Sequence, residues 1–227
     1  MISKRLVIVA NGDLEDLAFY EAIIKPDDYI VCVNGGTGHA LALGLKPDLI
    51  IGDLDSLSDA DREEVSRINP ELIVHPSEKD KSDLELALDH SVKMEPLEII
   101  IIGALGGTRF EHAFINVLLL YIPLRKRISA RLLSENQEVM LVRDEVTIQG
   151  NAGDYLSLYA LTNRADGIVT EGLKYPLNND SLYFASTLGL SNEFIAAQAK
   201  VSLQSGLLLL IKSSVEKAAT DFSWTGH

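Results

Sequence analysis

Asp53 and Asp55 stand two positions apart, directly behind the apolar run Leu49-Ile50-Ile51 and a glycine, and no Lys or Arg lies between Lys46 and Arg62 to neutralise them. In an extended segment, residues i and i+2 point the same way. Two carboxylates roughly 5 Å apart repel by about 3 kcal/mol at an effective dielectric of about 20. Such a pair is tolerated where water screens it, where one group keeps its proton, or where a cation sits between them. Oxygen-only donors favour a hard ion, Mg²⁺ or Mn²⁺. A turn that caps the next segment is the better reading of one aspartate alone; for a D-x-D at a strand exit facing other acidic or glycine-rich exits, metal ligation is the favoured reading. Asp83 is either a third ligand or a first-turn helix residue favoured by the helix dipole.

Two glycine-rich stretches could face a phosphate. Asn34-Gly35-Gly36-Thr37-Gly38 and Gly103-Ala104-Leu105-Gly106-Gly107-Thr108-Arg109 both read as links between a strand and a helix. A backbone without Cβ allows close approach, and a helix N-terminus offers free N–H groups. Neither stretch is G-x-x-x-x-G-K-[ST], and no G-x-G-x-x-G follows the first strand, which disfavours a P-loop enzyme and a conventional dinucleotide dehydrogenase. Arg109 could clamp a phosphate bidentately. Lys79 and Lys81 are point charges for the same task or solvated loop residues. His112 and Asn116, four apart on one helix, either orient a nucleotide or pack the glycine loop.

These residues need elements to position them. Continuous apolar runs at Arg5–Asp13, Asp28–Gly36, Pro47–Asp53, Glu71–Pro76 and Leu97–Gly107 read as strands covered on both faces, alternating with helical spacing at 14–24, 38–44, after Ser58, after Ser82 and at 110–121, where Pro123 is the stop. That is a doubly wound, mostly parallel α/β domain. Its strand exits, at Asn11-Gly12-Asp13, Asn34-Gly35-Gly36, Asp53 to Ser56, Pro76 to Asp83 and Gly103 to Arg109, all open on one rim, where open sheets bind ligands. After Ile128 the texture changes to short strands (ARLLS, EVMLVRD, VTIQG, DYLSLYAL, GIVTEG, SLYFAS, AKVSL, GLLLLIKS) separated by Gly, Asn and Asp, the pattern of an all-β sandwich. The expected division is 1–125 and 126–227.

Composition narrows the classes. A formal net charge of -13 over 227 residues argues against nucleic acid as a partner. It does not oppose a phosphorylated substrate, because a bound cation reverses the local sign. Cys32, the one cysteine, lies inside an apolar run and reads as a small buried hydrophobe. No leader-like segment and no membrane-length apolar run stands out, so the expectation is a cytoplasmic protein.

Four blocks in series, GLKPDLIIGDLDSL, EKDKSDLELAL, GALGGTRFEHAFINVLLL and STLGLSNEF, resemble the thiamine pyrophosphokinase (thiamine diphosphokinase) family over nearly the whole chain, from about Asn34 to the GLLLLI strand. The resemblance implies a nucleotide-binding catalytic domain followed by a thiamine-binding, dimerising β-sandwich. It implies a homodimer with the active site at the subunit interface, and pyrophosphoryl transfer from ATP to the thiamine hydroxyl with Mg²⁺, releasing AMP. By motif, Asp53, Asp55 and Asp83 match the acidic metal-binding set, which with Arg109 forms the catalytic group. Asn34, Gly35, Gly36, Lys79, Asp80, Ser82, Gly106, Gly107, His112 and Asn116 fall on the nucleotide side. Ser191, Asn192 and Tyr175 fall where the family meets thiamine, the first two from the partner subunit; a tyrosine packed in the sandwich is the alternative for Tyr175. The chain departs from the family's usual pattern in having Asn34 where an acidic residue precedes the paired glycines, Glu111 for Asp, and Ser82 for Thr. Rival readings are a pyrophosphokinase for another alcohol, such as a hydroxymethyl pterin, a non-catalytic nucleotide or thiamine sensor, and a structural dimerisation module.

Overall fold

A computed structural model describes residues 4–53, 57–76 and 80–215. The chain forms two units, Met1–Ser134 and Glu135–His227.

In the first unit, strands β1 (Arg5–Val9), β2 (Tyr29–Val33), β3 (Leu49–Gly52), β4 (Glu71–Val74), β5 (Glu98–Ile102) and β6 (Ser129–Leu133) lie in the order β6-β5-β1-β2-β3-β4. Every neighbouring pair is parallel. Helices α1 (Leu17–Ile23), α2 (Gly36–Ala42), α3 (Asp59–Ile68) and α4 (Asp83–Ser91) make the first four crossovers, and α5 (Phe110–Leu119) with α6 (Tyr121–Arg125) the last. The chain walks outward from β1 to β4, then returns to the other side of β1 with β5. The β1/β5 junction is therefore the switch point at which such sheets open a ligand crevice. Its carboxyl end is stitched by Ala10 N–H to Ile102 O at 2.9 Å and Gly12 N–H to Gly103 O at 2.7 Å.

The central strands are apolar on both faces because both are covered: Leu6 to Val9 and Ile99 to Ile102 are essentially inaccessible. β4 departs from that expectation. Leu72 is 48% and Val74 61% exposed, because β4 ends the sheet and is only partly covered. Ser129–Leu133, which its texture placed with the second half, instead pairs in parallel with β5. An apolar pentapeptide carries no mark of which sheet it joins. Pro123 does not stop a helix either. The break comes at Leu120, and Pro123 sits in the first turn of α6, where a missing N–H costs no intrahelical bond.

The first unit is anchored at its centre by Arg5 on β1. Its Nε donates to Asp28 Oδ1 at 2.9 Å, and its Nη2 donates to Asp28 Oδ2 at 2.6 Å and to Ile23 O at 2.7 Å. On β2, opposite Val9, burial pushes the Cys32 thiol far above its usual range. Cys32 in the native protein is expected to resist a thiol reagent such as dithionitrobenzoate at neutral pH and to react fully once guanidinium unfolds the chain; rapid stoichiometric labelling of the native protein would contradict this burial.

The second unit is antiparallel throughout. Strands β7 (Gln137–Val142), β9 (Tyr155–Ala160), β12 (Asn192–Glu193) and β14 (Leu208–Ser213) run in the order β12-β9-β14-β7. Strands β8 (Glu145–Gln149), β10 (Arg164–Glu171), β11 (Asn178–Tyr183) and β13 (Gln198–Ser202) form a second sheet, β11-β10-β13-β8. Their inner faces share one core that includes Leu156, Ile168, Phe194, Val201, Leu208 and Leu210. No helix of the described residues is long and apolar enough to cross a membrane.

Candidate functional site

The rim is built where β2, β3 and α4 begin or end. Asn34 follows β2 in a left-handed conformation, with φ 47°, which asparagine tolerates better than most residues. Its side chain links two acidic segments. Oδ1 accepts from the Asp53 backbone N–H at 2.9 Å, and Nδ2 donates to Asp83 Oδ2 at 2.6 Å. Gly52 makes room for it: with φ 145°, a Cβ there would lie 1.5 Å from Asn34 Oδ1. Asp53 and Asp83, thirty residues apart in sequence by their numbers, are thus tied to one amide. Asp55 and Lys79 lie outside the described residues. Among the described residues no group of three or more His, Cys, Asp or Glu forms a cluster able to hold a metal.

Asp83 is the first residue of α4, whose start follows from local chemistry. Ser82 caps it, its Oγ accepting from Glu85 N–H at 3.2 Å. The Ser82 oxygen expected on the nucleotide side is therefore engaged within its own helix. Asp80 is exposed. Lys81 turns along α4, donating to Asp89 at 2.5 Å and pairing with Glu85 at 3.2 Å, and these carboxylates hold its ammonium above the usual lysine range.

The two glycine stretches prove unlike each other. At Gly36 a Cβ would meet Val9 O at 2.1 Å, and at Gly35 it would meet the Asn11 side chain at 2.2 Å. These glycines let α2 start tight against β1, where a side chain has no room. Gly106 and Gly107 have φ 98° and 84°, and a Cβ on either would meet nothing within 4 Å. Theirs is the open loop. Asn116 holds it from α5, Nδ2 donating to Ala104 O at 2.9 Å, so this side chain orients the loop. His112 is exposed one turn before it.

Arg109 is 65% exposed and its Nε donates to Glu111 Oε1 at 2.7 Å. That hydrogen bond holds the Glu111 carboxyl below its usual range. An exposed pair of this kind contributes little to stability, so the guanidinium can leave Glu111 for a stronger anion at small cost.

In the second unit, Ser191 is exposed with φ 53°, and its N–H donates to Ser157 Oγ at 3.0 Å. Asn192 is 7% exposed and spends its amide on backbone. Oδ1 accepts from Tyr175 N–H at 3.0 Å and from Glu193 N–H at 2.9 Å, while Nδ2 donates to Tyr175 O at 2.7 Å. Asn192 is a clamp on the Tyr175 segment. Tyr175 itself is 64% exposed, with the Lys174 ammonium 5.9 Å from its ring centre. Asn192→Ala, which removes these bonds and leaves buried peptide groups behind, is expected to lower the unfolding free energy by about 2 kcal/mol. Guanidinium denaturation reads the change, and a loss under about 0.5 kcal/mol would contradict the clamp.

What motif spacing did not reveal is the work done by the two asparagines. Their sequence contexts, Asn before paired glycines and Asn after a serine, give position but not partner. For Asn34 the readable signal is Gly52, a glycine interposed between an apolar strand and an aspartate.

Residues 20–132 match the family described as "Thiamin pyrophosphokinase, catalytic domain", and residues 143–208 match "Thiamin pyrophosphokinase, vitamin B1 binding domain". A thiamine pyrophosphokinase of Bacillus subtilis (strain 168) is 34% identical over 213 residues, which are 93% of this chain and 99% of that one. The crystal structure of thiamine pyrophosphokinase from Bacillus subtilis superposes with TM-score 0.83 at 32% identity, over 94% of this chain and 100% of the other. That of thiamin pyrophosphokinase from Geobacillus thermodenitrificans gives 0.79 at 33% identity, over 92% and 97%.

Proposed function

This chain belongs to the thiamine pyrophosphokinase family, and from that premise we propose that it transfers the pyrophosphoryl group of ATP to thiamine. The thiamine hydroxyl oxygen attacks the β-phosphorus, the bond from that phosphorus to the bridging oxygen of the α-phosphate breaks, AMP leaves, and the hydroxyl proton is released. Such a displacement asks the protein for positioning and charge stabilisation more than for covalent chemistry.

The observation that carries the reading is the joining of Asp53 and Asp83 through Asn34 at the carboxyl end of the parallel sheet. The donors fit a hard divalent ion, being carboxylate oxygens without sulfur or imidazole. Asp53 and Asp83, with Asp55, would hold Mg²⁺, which when bound neutralises the polyphosphate. The open backbone at Gly106 and Gly107 lies against the phosphates, and Arg109 exchanges Glu111 for a phosphate oxygen. Asn116 keeps that loop in place. The first unit, Met1–Ser134, is the nucleotide-binding part of this reading, and the second, Glu135–His227, the thiamine-binding and dimerising part, the expected division at 125/126 moving past β6. Thiamine meets the exposed Ser191 and Tyr175, with Asn192 holding the tyrosine segment.

A homodimer with the active site at the subunit interface is supported by apolar side chains left open on each unit. Phe110 and Phe114, stacked with ring centres 6.0 Å apart, are 79% and 53% exposed on α5; Phe184, Leu188 and Ile195 are 64%, 67% and 60% exposed on the sandwich. Surfaces of this kind mark interaction sites.

A coupled assay for AMP tests the function. AMP and thiamine diphosphate in equal amounts are expected from thiamine and Mg-ATP, with none from a hydroxymethyl pterin. AMP from the pterin alone would transfer the reading to another alcohol, and tight ATP binding without AMP would make the chain a sensor.

A further inference from the structure

We propose that Asn34 is a positioning residue, fixing the Asp83 carboxylate and the Asp53 backbone against each other before any cation arrives. The inference rests on the reading of Asp53 and Asp83 as metal ligands.

Three observations carry it. The two bonds run from opposite ends of one amide, and their polarity fixes its orientation, because the Asp53 N–H can only donate and the Asp83 carboxylate oxygen at 2.6 Å accepts. Gly52 leaves a space that Asn34 Oδ1 fills and that any side chain at position 52 would obstruct. The left-handed backbone at residue 34 aims the side chain across the ends of β2 and β3, towards the start of α4. An acid at this position could accept from Asp53 N–H but offers Asp83 no amide donor; ionised, it would set a carboxylate against a carboxylate. An amide here supplies a donor, and this chain's rim is pre-shaped by a neutral bridge. Partners that orient metal ligands in this way typically matter by 10- to 100-fold in metal affinity or activity.

The test compares wild type, Asn34→Gly and Asn34→Asp. Glycine removes both bonds while tolerating the left-handed backbone. Asn34→Gly is expected to raise the Mg²⁺ concentration for half-maximal ATP binding by about 10- to 100-fold and to lower kcat comparably, with KM for thiamine near the wild-type value. Asn34→Asp is expected to be impaired at submillimolar Mg²⁺ and to recover as Mg²⁺ is raised, since a cation relieves the facing carboxylates. In the metal-free wild type, the Asn34 side-chain amide protons should exchange slowly with solvent. Calorimetry reads the binding and nuclear magnetic resonance the exchange. If both variants follow the wild-type Mg²⁺ curve, or if the amide exchanges freely, the positioning role is overturned while the family reading stands. If the wild type binds ATP without regard to Mg²⁺, the reading beneath it falls as well.

Discussion

Asp83→Asn is expected to lower kcat by on the order of 10³-fold, about 4 kcal/mol of transition-state stabilisation, and to leave the fold intact. The substitution is nearly isosteric. Its amide oxygen can still accept from Asn34 Nδ2, where Asp83 Oδ2 now accepts at 2.6 Å, and Ser82 still caps α4. What disappears is one negative charge at the point where the metal-bound polyphosphate is to be gripped. Steady-state AMP production beside a thermal melt separates the two effects. A kcat within about threefold of wild type would remove Asp83 from the chemistry. The same substitution at Asp53 should act in the same direction, whereas its backbone N–H would go on serving Asn34.

Asp28→Ala is expected to destabilise the protein by about 3–5 kcal/mol, which for a chain of this size corresponds to a fall of roughly 10 °C in Tm. Asp28 receives two bonds from Arg5 and a third from Lys25 N–H at 2.8 Å. Its side chain is 1% exposed and that of Arg5 12%. Alanine would leave a guanidinium on central strand β1 with only the Ile23 carbonyl among these partners. Removing both charges, as Arg5→Met with Asp28→Leu, should cost much less, because the expense lies in the unmatched charge. Chemical denaturation of both variants measures the difference; equal losses would show that the pair matters through packing rather than through charge.

Much of the fold was legible because its signals are local. The apolar runs of β1, β2 and β5 announce strands buried on two faces, and Ser58 and Ser82 announce α3 and α4 through caps that are present, Ser58 Oγ accepting from Asp61 N–H at 3.1 Å. The short strands of the second half were legible from their spacing. What stayed hidden depends on partners distant in sequence. Nothing local says that Ser129–Leu133 pairs with β5, that β4 ends the sheet, or that Pro123 falls inside a turn rather than after one. In the candidate site, residue types gave Asp53, Asp83 and Arg109, but not the bonds that orient them. Gly35 and Gly36 look in sequence like Gly106 and Gly107; only the surroundings, a strand carbonyl 2.1 Å from the Cβ position of Gly36 and open space at Gly106, show that the first pair is packed against β1 and the second is not. Asn192 likewise shows its residue type in the sequence but not the bonds its amide makes to Tyr175.

Titration calorimetry of ATP into the protein, with and without Mg²⁺, addresses the acidic rim most directly. Uptake of one ATP per chain that requires Mg²⁺, and that is lost in Asp83→Asn, is the expected result. Equal affinity in the presence of excess chelator, or an unchanged isotherm for Asp83→Asn, would mean that the carboxyl end of this sheet does not grip a metal-bound nucleotide.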